Sequence, residues 1–384
     1  MTRVSQMKPK AHRALALTFT MMLGAVTSGT AAAETQRSQS TGFEAVILAD
    51  GLAHPWGLAF LPDGRMLVTE RDGNLRIVTQ DGTVSEPVAG VPEVAARGQG
   101  GLLDVILHPD YAANGWLYLS YARPDPEGAA TAVSRARLEG NVLRDAATIF
   151  VARNASSGGR HFGSRMAFGP DGKLYVSVGE RGQDDEAQNL SNHNGTVLRL
   201  NADGSIPDDN PFTGRADVLP SMFSYGHRNP QGMAVHPVSG AVWVHEHGPQ
   251  GGDEINLLKP GANYGWPLVT FGRSYAGFPI GDGTSAPGLA APLHNWTPSI
   301  APSGMAFYTG DAFPEWKGNL FVGSLKFQYL ARVVLDGTRV VSEERLLEDQ
   351  FGRVRDVRQG PDGLLYVLTD EDDGRLVRLQ PAGR

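Results

Sequence analysis

The chain has 384 residues, a formal net charge of −7 and no cysteine. The acidic balance argues against a nucleic-acid partner, which favours a basic face, and the missing thiols exclude disulfides, a cysteine nucleophile and a Cys-based zinc site. Any metal is therefore left with oxygen and imidazole ligands.

Residues 1–33 carry a basic opening (Arg3, Lys8, Lys10, Arg13), an apolar run over 14–26 and a small-residue end, Ala31-Ala32-Ala33. This is the layout of a secretory signal peptide cleaved after Ala33. The apolar run is shorter than the roughly 20 residues of a spanning helix, which weighs against a membrane anchor. Export to the periplasm, with no membrane span in the mature chain, is the expectation. Residues 34–41 are polar and are expected to form a flexible linker, followed by a single domain over 42–384.

Within that domain one pattern recurs six times, over residues 57–78, 102–122, 164–180, 231–246, 303–325 and 355–379. Each copy has an apolar triplet, a turn, an alternating strand and a resumed strand. The turns carry Pro-Asp-Gly in Pro62-Asp63-Gly64, Pro170-Asp171-Gly172 and Pro361-Asp362-Gly363; Pro presets φ and Gly accepts a positive one. The strands that follow, such as Leu174-Tyr175-Val176-Ser177-Val178, are β-branched and aromatic and too short for helices. The 48 glycines and 25 prolines are dispersed, as many short strands require. Six copies of one unit predict an all-β, six-bladed β-propeller with four-stranded blades. A β-sandwich or a pair of barrels does not need the same motif six times.

A propeller gathers its ligand loops at one end. The insertions expected there are residues 98–101, 158–163, 181–195, 224–230, 245–254, 264–302 and 326–328. They hold most of the unusual polar residues. Arg228, Lys326, Arg353 and Arg355 flank core strands of different blades, and such a ring of cations suits a small ligand with several carboxylates. His161 and Gln99 are each cradled by glycines, and an imidazole at neutral pH can serve as a general base. The Gly248-Pro249 step offers consecutive carbonyls and Glu254 a carboxylate, a donor set that suits Ca²⁺. The His245-x-His247 pair offers only two nitrogens, too few for zinc.

Seven motifs in order, GQGGLLDV, GGRHFGSR, YGHRNPQG, EHGPQGGDEIN, NYGWP, SLKFQYL and RVRDVRQGPDG, resemble the signatures of soluble pyrroloquinoline-quinone (PQQ)-dependent sugar dehydrogenases, most of all the aldose sugar dehydrogenase branch. The resemblance runs over residues 43–379. It implies that His161 is the general base for hydride transfer from the anomeric carbon of an aldose to PQQ, giving a lactone. It implies that Gln99, Arg228 and Asn229 surround the quinone, with Arg228 stabilising its developing charge, and that Tyr275 contacts the ring. Lys326, Arg353 and Arg355 would pair with the cofactor carboxylates. The carbonyls of Gly248 and Pro249 would hold a Ca²⁺ at the quinone, and Glu254 and Tyr264 a second, structural Ca²⁺. An external electron acceptor, a quinone or redox protein, is implied as well.

The chain departs from the soluble glucose dehydrogenases at Arg160, where they place an acidic residue directly before the catalytic histidine. Glu180, at the end of the third blade's strand, is the expected replacement partner for His161. A short substrate-side loop set implies a site open to many aldoses. A metal-dependent six-bladed lactonase would want several carboxylates on one metal rather than a cationic ring, and a non-catalytic binding propeller would show an apolar patch instead.

Overall fold

The apolar triplets and the runs behind them form six antiparallel sheets in the computed structural model, which describes residues 1–2, 35–38 and 41–383. The inner strands are Pro55–Phe60, Leu102–Leu107, Met166–Phe168, Pro230–Val235, Pro302–Phe307 and Val354–Gln359. Each packs on the inner strand of the next blade and the last packs on the first, so the ring closes as the six-fold repeat predicts. The second strands, Met66–Glu70, Leu174–Val178, Val242–Glu246, Leu320–Ser324 and Leu365–Thr369, are buried at every position. A neighbouring blade covers each face, and that is why they read as continuous apolar runs and not as the alternation expected of them.

Blades two to five have four strands each. The first blade has three, extended by an isolated bridge between Val78 and Val84. The sixth is a seam built from both ends of the chain: Gly42–Leu52 pairs antiparallel with Gly374–Pro381. Outside it, where the linker was expected, Thr35–Arg37 adds a short strand on Gly42–Glu44 because the chain turns back at Ser38 N to Thr41 O. The signal peptide expected over 1–33 falls, beyond its first two residues, outside the described residues. Among the described residues no helix is long and apolar enough to cross a membrane.

The Pro-Asp-Gly turns join the first and second strands at one end of the ring. There the aspartate caps its own turn and anchors the strand: Asp171 accepts from Lys173 N and Tyr175 Oη, and Asp362 from Leu364 N and Tyr366 Oη. The long loops lie at the other end, where the inner strands begin. The segment 264–302 reaches that end by climbing along blade three, with Tyr264 N on Tyr225 O and Trp266 N on Gly226 O.

The axis is filled from one position of the repeat. Gly57, Asp104, Arg165, Gly232, Gly304 and Asp356 are equivalent residues of the six blades. Arg165 Nη1 lies 3.0 Å from Asp104 and 3.2 Å from Asp356, and Arg358 reaches the same two carboxylates at 2.8 and 2.9 Å. Two acids and two guanidiniums balance in charge. The carboxylates also accept Leu58 N and Met166 N, which staples them to the neighbouring blades. The glycines make room: a Cβ on Gly304 would run into Asp356 Oδ1, and one on Gly57 into Asp104 Oδ1.

Candidate active site

In four blades a buried acid stands at or just after the loop end of the second strand: Glu70 and Glu246 end theirs, Asp370 follows by one residue and Glu180 by two. Glu70 accepts Ala53 N and Arg76 Nε, whereas Glu180, Glu246 and Asp370 each accept a hydrogen bond from a histidine in a loop that leads into an inner strand. His161 Nδ1 lies 2.6 and 2.8 Å from the two oxygens of Glu180, His227 Nδ1 lies 2.8 Å from Glu246, and His54 Nδ1 lies 3.0 Å from Asp370. The first two pairs lie at the same end of blades three and four, though not at equivalent positions of the repeat, and their surroundings differ. His227 is fully buried, its Nε2 bonded to Ser224 Oγ at 2.9 Å and its ring stacked on Tyr264 at 4.5 Å. No described residue bonds Nε2 of His161. One pair is structural and the other presents a free nitrogen to the mouth of the ring.

His161 is held in place at some strain. Its φ is +54°, a region that costs a side-chain-bearing residue about 1–2 kcal/mol. Gln99 Oε1 fixes it by accepting His161 N at 2.7 Å, and Gly179 lets the His161 carbonyl approach where any Cβ would clash. Arg181 ties the same loop from behind, donating to the carbonyls of Arg160 and Gly158 with its guanidinium 3.4 Å from the Phe162 ring. Burial, then the positive charges of Arg228 and Arg160, push the imidazole far below its usual value, so it is neutral at pH 7. Burial raises Glu180 to about 7 against the pull of Arg228. Above that pH Nδ1–H donates to a carboxylate and the lone pair stays on Nε2, the form a base requires.

The expected cofactor residues converge beside this pair. Arg355 and Arg353 both reach Asp370, and so does Arg71, at 3.6 Å. Burial alone would raise Asp370, but Arg355, Arg71 and Arg353 hold it well below the usual carboxylate range. One carboxylate among three guanidiniums leaves the cluster cationic. Arg353 Nη1 also donates to Leu325 O, which brings Lys326 alongside. Among the buried donors, Asn229 Nδ2, Arg228 Nε and Arg355 Nε have no acceptor within the protein. Such orphans are costly unless a ligand supplies oxygens. Tyr275 sits at the rim, its carbonyl held by Gln250 Nε2 and its side chain largely exposed, with no described contact to the cationic cluster.

Below Arg228 lies a cavity of about 10 Å³ lined by Glu246, Gly248, Gly252, Glu254, Tyr264 and Thr270, among others. Glu246 and Glu254 stand directly opposite across the strand pair. Glu254 is pushed up to about 8 by burial and by the Glu246 charge. Two buried carboxylates in one chamber want a proton or a cation between them. Tyr264 Oη is already engaged, donating to Leu257 O and accepting Lys259 N, so only its carbonyl is free to ligate. Gly248 O accepts Arg228 Nη1 at 3.0 Å and retains a second lone pair. Among the described residues no three His, Cys, Asp or Glu side chains group as a metal site.

Sequence reasoning missed Glu246, Asp370, Arg71 and His54. The first two were legible as acids at or just after the end of a second strand, where Glu180 also lies; the last two meet Asp370 only where blade one packs on blade six.

The family model described as Glucose / Sorbosone dehydrogenase matches residues 52–378. Aldose sugar dehydrogenase YliI of Escherichia coli is 47% identical over 87% of this chain and 92% of its own length. Quinoprotein glucose dehydrogenase B of Acinetobacter calcoaceticus is 30% identical over 88% of this chain and 89% of its own. The solved PQQ-bound form of aldose sugar dehydrogenase from Streptomyces coelicolor superposes with a TM-score of 0.73, at 31% identity, over 87% of this chain and 96% of that one.

Proposed function

The chain belongs to the glucose/sorbosone dehydrogenase family, and from that premise we propose that it oxidises aldoses at the anomeric carbon to lactones, using PQQ and Ca²⁺, with His161 as the general base. The observation that carries this reading is the buried His161–Glu180 pair with its open Nε2, set beside a cationic cluster whose buried donors lack acceptors. A planar polycarboxylate rich in oxygens fits those donors. Arg353, Arg355 and Lys326 would hold its carboxylates, and Asn229, Gln99 and Arg228 would face its ring, with Arg228 placed against developing negative charge. Tyr275 would close over the ring from the rim.

When bound, PQQ supplies the two-electron acceptor for the anomeric hydride and Ca²⁺ a Lewis acid at its carbonyl. The protein's share is positional and protonic. Nε2 of His161 takes the hydroxyl proton while Glu180, on the far side of the ring, supports the imidazolium that results. The carbonyls of Gly248 and Pro249 would hold the Ca²⁺ at the cofactor. Glu254 with the Tyr264 carbonyl, joined by Glu246, would hold a second Ca²⁺ in the acidic chamber. The leader-like composition of residues 1–33 supports export of the domain over residues 42–384 to the periplasm, where an external quinone or redox protein would take the electrons.

The test is dye-linked oxidation of several aldoses by purified apo-protein, with and without PQQ and Ca²⁺. Activity on a range of aldoses that appears only with both supports the reading; lactone hydrolysis without PQQ, or no quinone binding, overturns it. The structural Ca²⁺ has its own signature. Added Ca²⁺ is expected to raise Tm, and Glu254→Gln to abolish most of that rise, as calorimetry would show. A Ca²⁺-induced rise that survives in Glu254→Gln would place the ion elsewhere.

A further inference from the structure

Asp253 opens the strand Asp253–Leu257, and strand alternation turns it away from the acidic chamber that its neighbour Glu254 lines. It is fully buried, and neutral donors from two separate turns satisfy it. Gly248 N donates to Oδ1 at 2.7 Å. Ile300 N and Ala301 N donate to Oδ2 at 2.7 and 2.9 Å. Ser299 Oγ lies 2.9 and 2.8 Å from the two oxygens and bridges them. A buried carboxylate with each oxygen given to its own turn fixes the distance between those turns. Each turn also carries one side of the cationic site. On the first, the carbonyls of His247 and Gly248 accept Arg228 Nη1 at 3.1 and 3.0 Å. On the second, Ile300 O accepts Lys326 N and Ala301 O accepts Leu325 N, both at 3.1 Å, and Leu325 O in turn accepts Arg353 Nη1 at 3.3 Å.

We propose that Asp253 is a positioning residue that locks the Gly248 turn to the 299–301 turn and so sets the separation of Arg228, on one side of the site, from Lys326 and Arg353 on the other. It acts only through the backbone it holds. Three N–H groups and a hydroxyl converge on one side chain, so its loss leaves buried donors without acceptors and lets each turn move on its own. That the separation matters for holding a cofactor rests on the sugar-oxidation reading above; the coupling of the two turns does not.

Asparagine at this position offers a single oxygen, for which two N–H groups of the second turn compete against one of the first. Asp253→Asn is therefore expected to release the Gly248 turn alone, and Asp253→Ala both turns. Amide hydrogen exchange in apo-protein, read residue by residue, follows them. Gly248 N should exchange about tenfold faster in Asp253→Asn; in Asp253→Ala, Ile300 N and Ala301 N should join it, with Leu325 N and Lys326 N behind them. The buried strand Leu174–Val178, in another blade, should keep its wild-type protection. Exchange that is unchanged at these amides, or raised equally in every blade, would overturn the proposal. Should Asp253→Ala fail to fold, Ser299→Ala removes the hydroxyl that bridges the carboxylate; it is expected to speed the same amides about threefold, and no change there is equally fatal. Equilibrium binding of PQQ to apo-protein then separates positioning from packing. Asp253→Ala is expected to weaken it about tenfold when Lys326 is present but less than about threefold in Lys326→Ala, because a side chain already absent cannot be misplaced. Losses that multiply in full would remove the positioning role. If the wild-type protein binds no PQQ, the sugar-oxidation reading fails, while exchange still decides whether Asp253 couples the turns.

Discussion

Replacing His161 by alanine is expected to lower kcat for aldose oxidation by about 10²- to 10⁴-fold, the range a positioned general base contributes. Alanine keeps the backbone N–H that Gln99 Oε1 accepts, so the loop around it should hold its course. Quinone binding, which the proposed reading assigns to Arg353, Arg355 and Asn229, should survive; equilibrium binding of PQQ separates this outcome from a collapsed site. A fall of less than tenfold in His161→Ala would move the base to another residue.

The pH dependence belongs to the same pair. Glu180 is raised to about 7, and below that pH its proton sits between the carboxyl and Nδ1. The imidazole's own hydrogen is then driven to Nε2, which ceases to be a base. Activity should therefore rise with pH through about 7 and level above it. Glu180→Gln should lose more than about tenfold in kcat and flatten this limb, because an amide can orient the ring but neither titrates nor supports a positive charge. A pH profile of kcat/KM unchanged in Glu180→Gln would remove Glu180 from the mechanism.

Replacing Asp356 by alanine is expected to cost about 3–5 kcal/mol of folding stability, the usual toll of removing one partner from a buried ion pair. Asp356 neutralises Arg165 and Arg358 at the axis and accepts Leu58 N from the first blade. Without it two guanidiniums share the single acid Asp104. Urea unfolding reads the loss directly: a midpoint within error of wild type would show that the axial lattice contributes little. Asp356→Asn, which keeps the hydrogen bond to Leu58 but not the charge, should fall between the two.

Much of this was legible in the chain. The six copies announced the blades because each must supply the same buried second strand between the same turns, and that demand leaves a mark at every repeat. The His161–Glu180 contact was legible for a related reason. Arg160 stands where an acid was wanted, and the end of the adjacent strand offered one. The seam left no such mark. Gly42–Leu52 contains no copy of the repeat, and its partner lies at the opposite end of the chain, so nothing local reports the pairing. His54 and Arg71 went unnoticed for that reason too, since they meet Asp370 only once the ring has closed. The axial position was hidden differently: three glycines and three charged residues share no chemistry until space is considered, when Gly57 and Gly304 prove to be the room that Asp104 and Asp356 occupy, and Gly232 the room for His245.

The seam also fixes an order of events during synthesis. Phe43, among the first domain residues to be made, pairs with Pro381, among the last. The outer strand of the final blade must therefore wait, edge exposed, until nearly the whole chain has been produced, and such long-range pairing is slow. Throughout that wait Asp370 has not met His54 or Arg71, so the guanidinium-rich end of the site is the last part of the molecule to exist. A chain cut short before Gly374–Pro381 could stack five blades yet would carry two unpaired sheet edges, an invitation to aggregate. Joining the two termini and opening the ring at a surface turn instead would preserve every strand pairing while removing the wait.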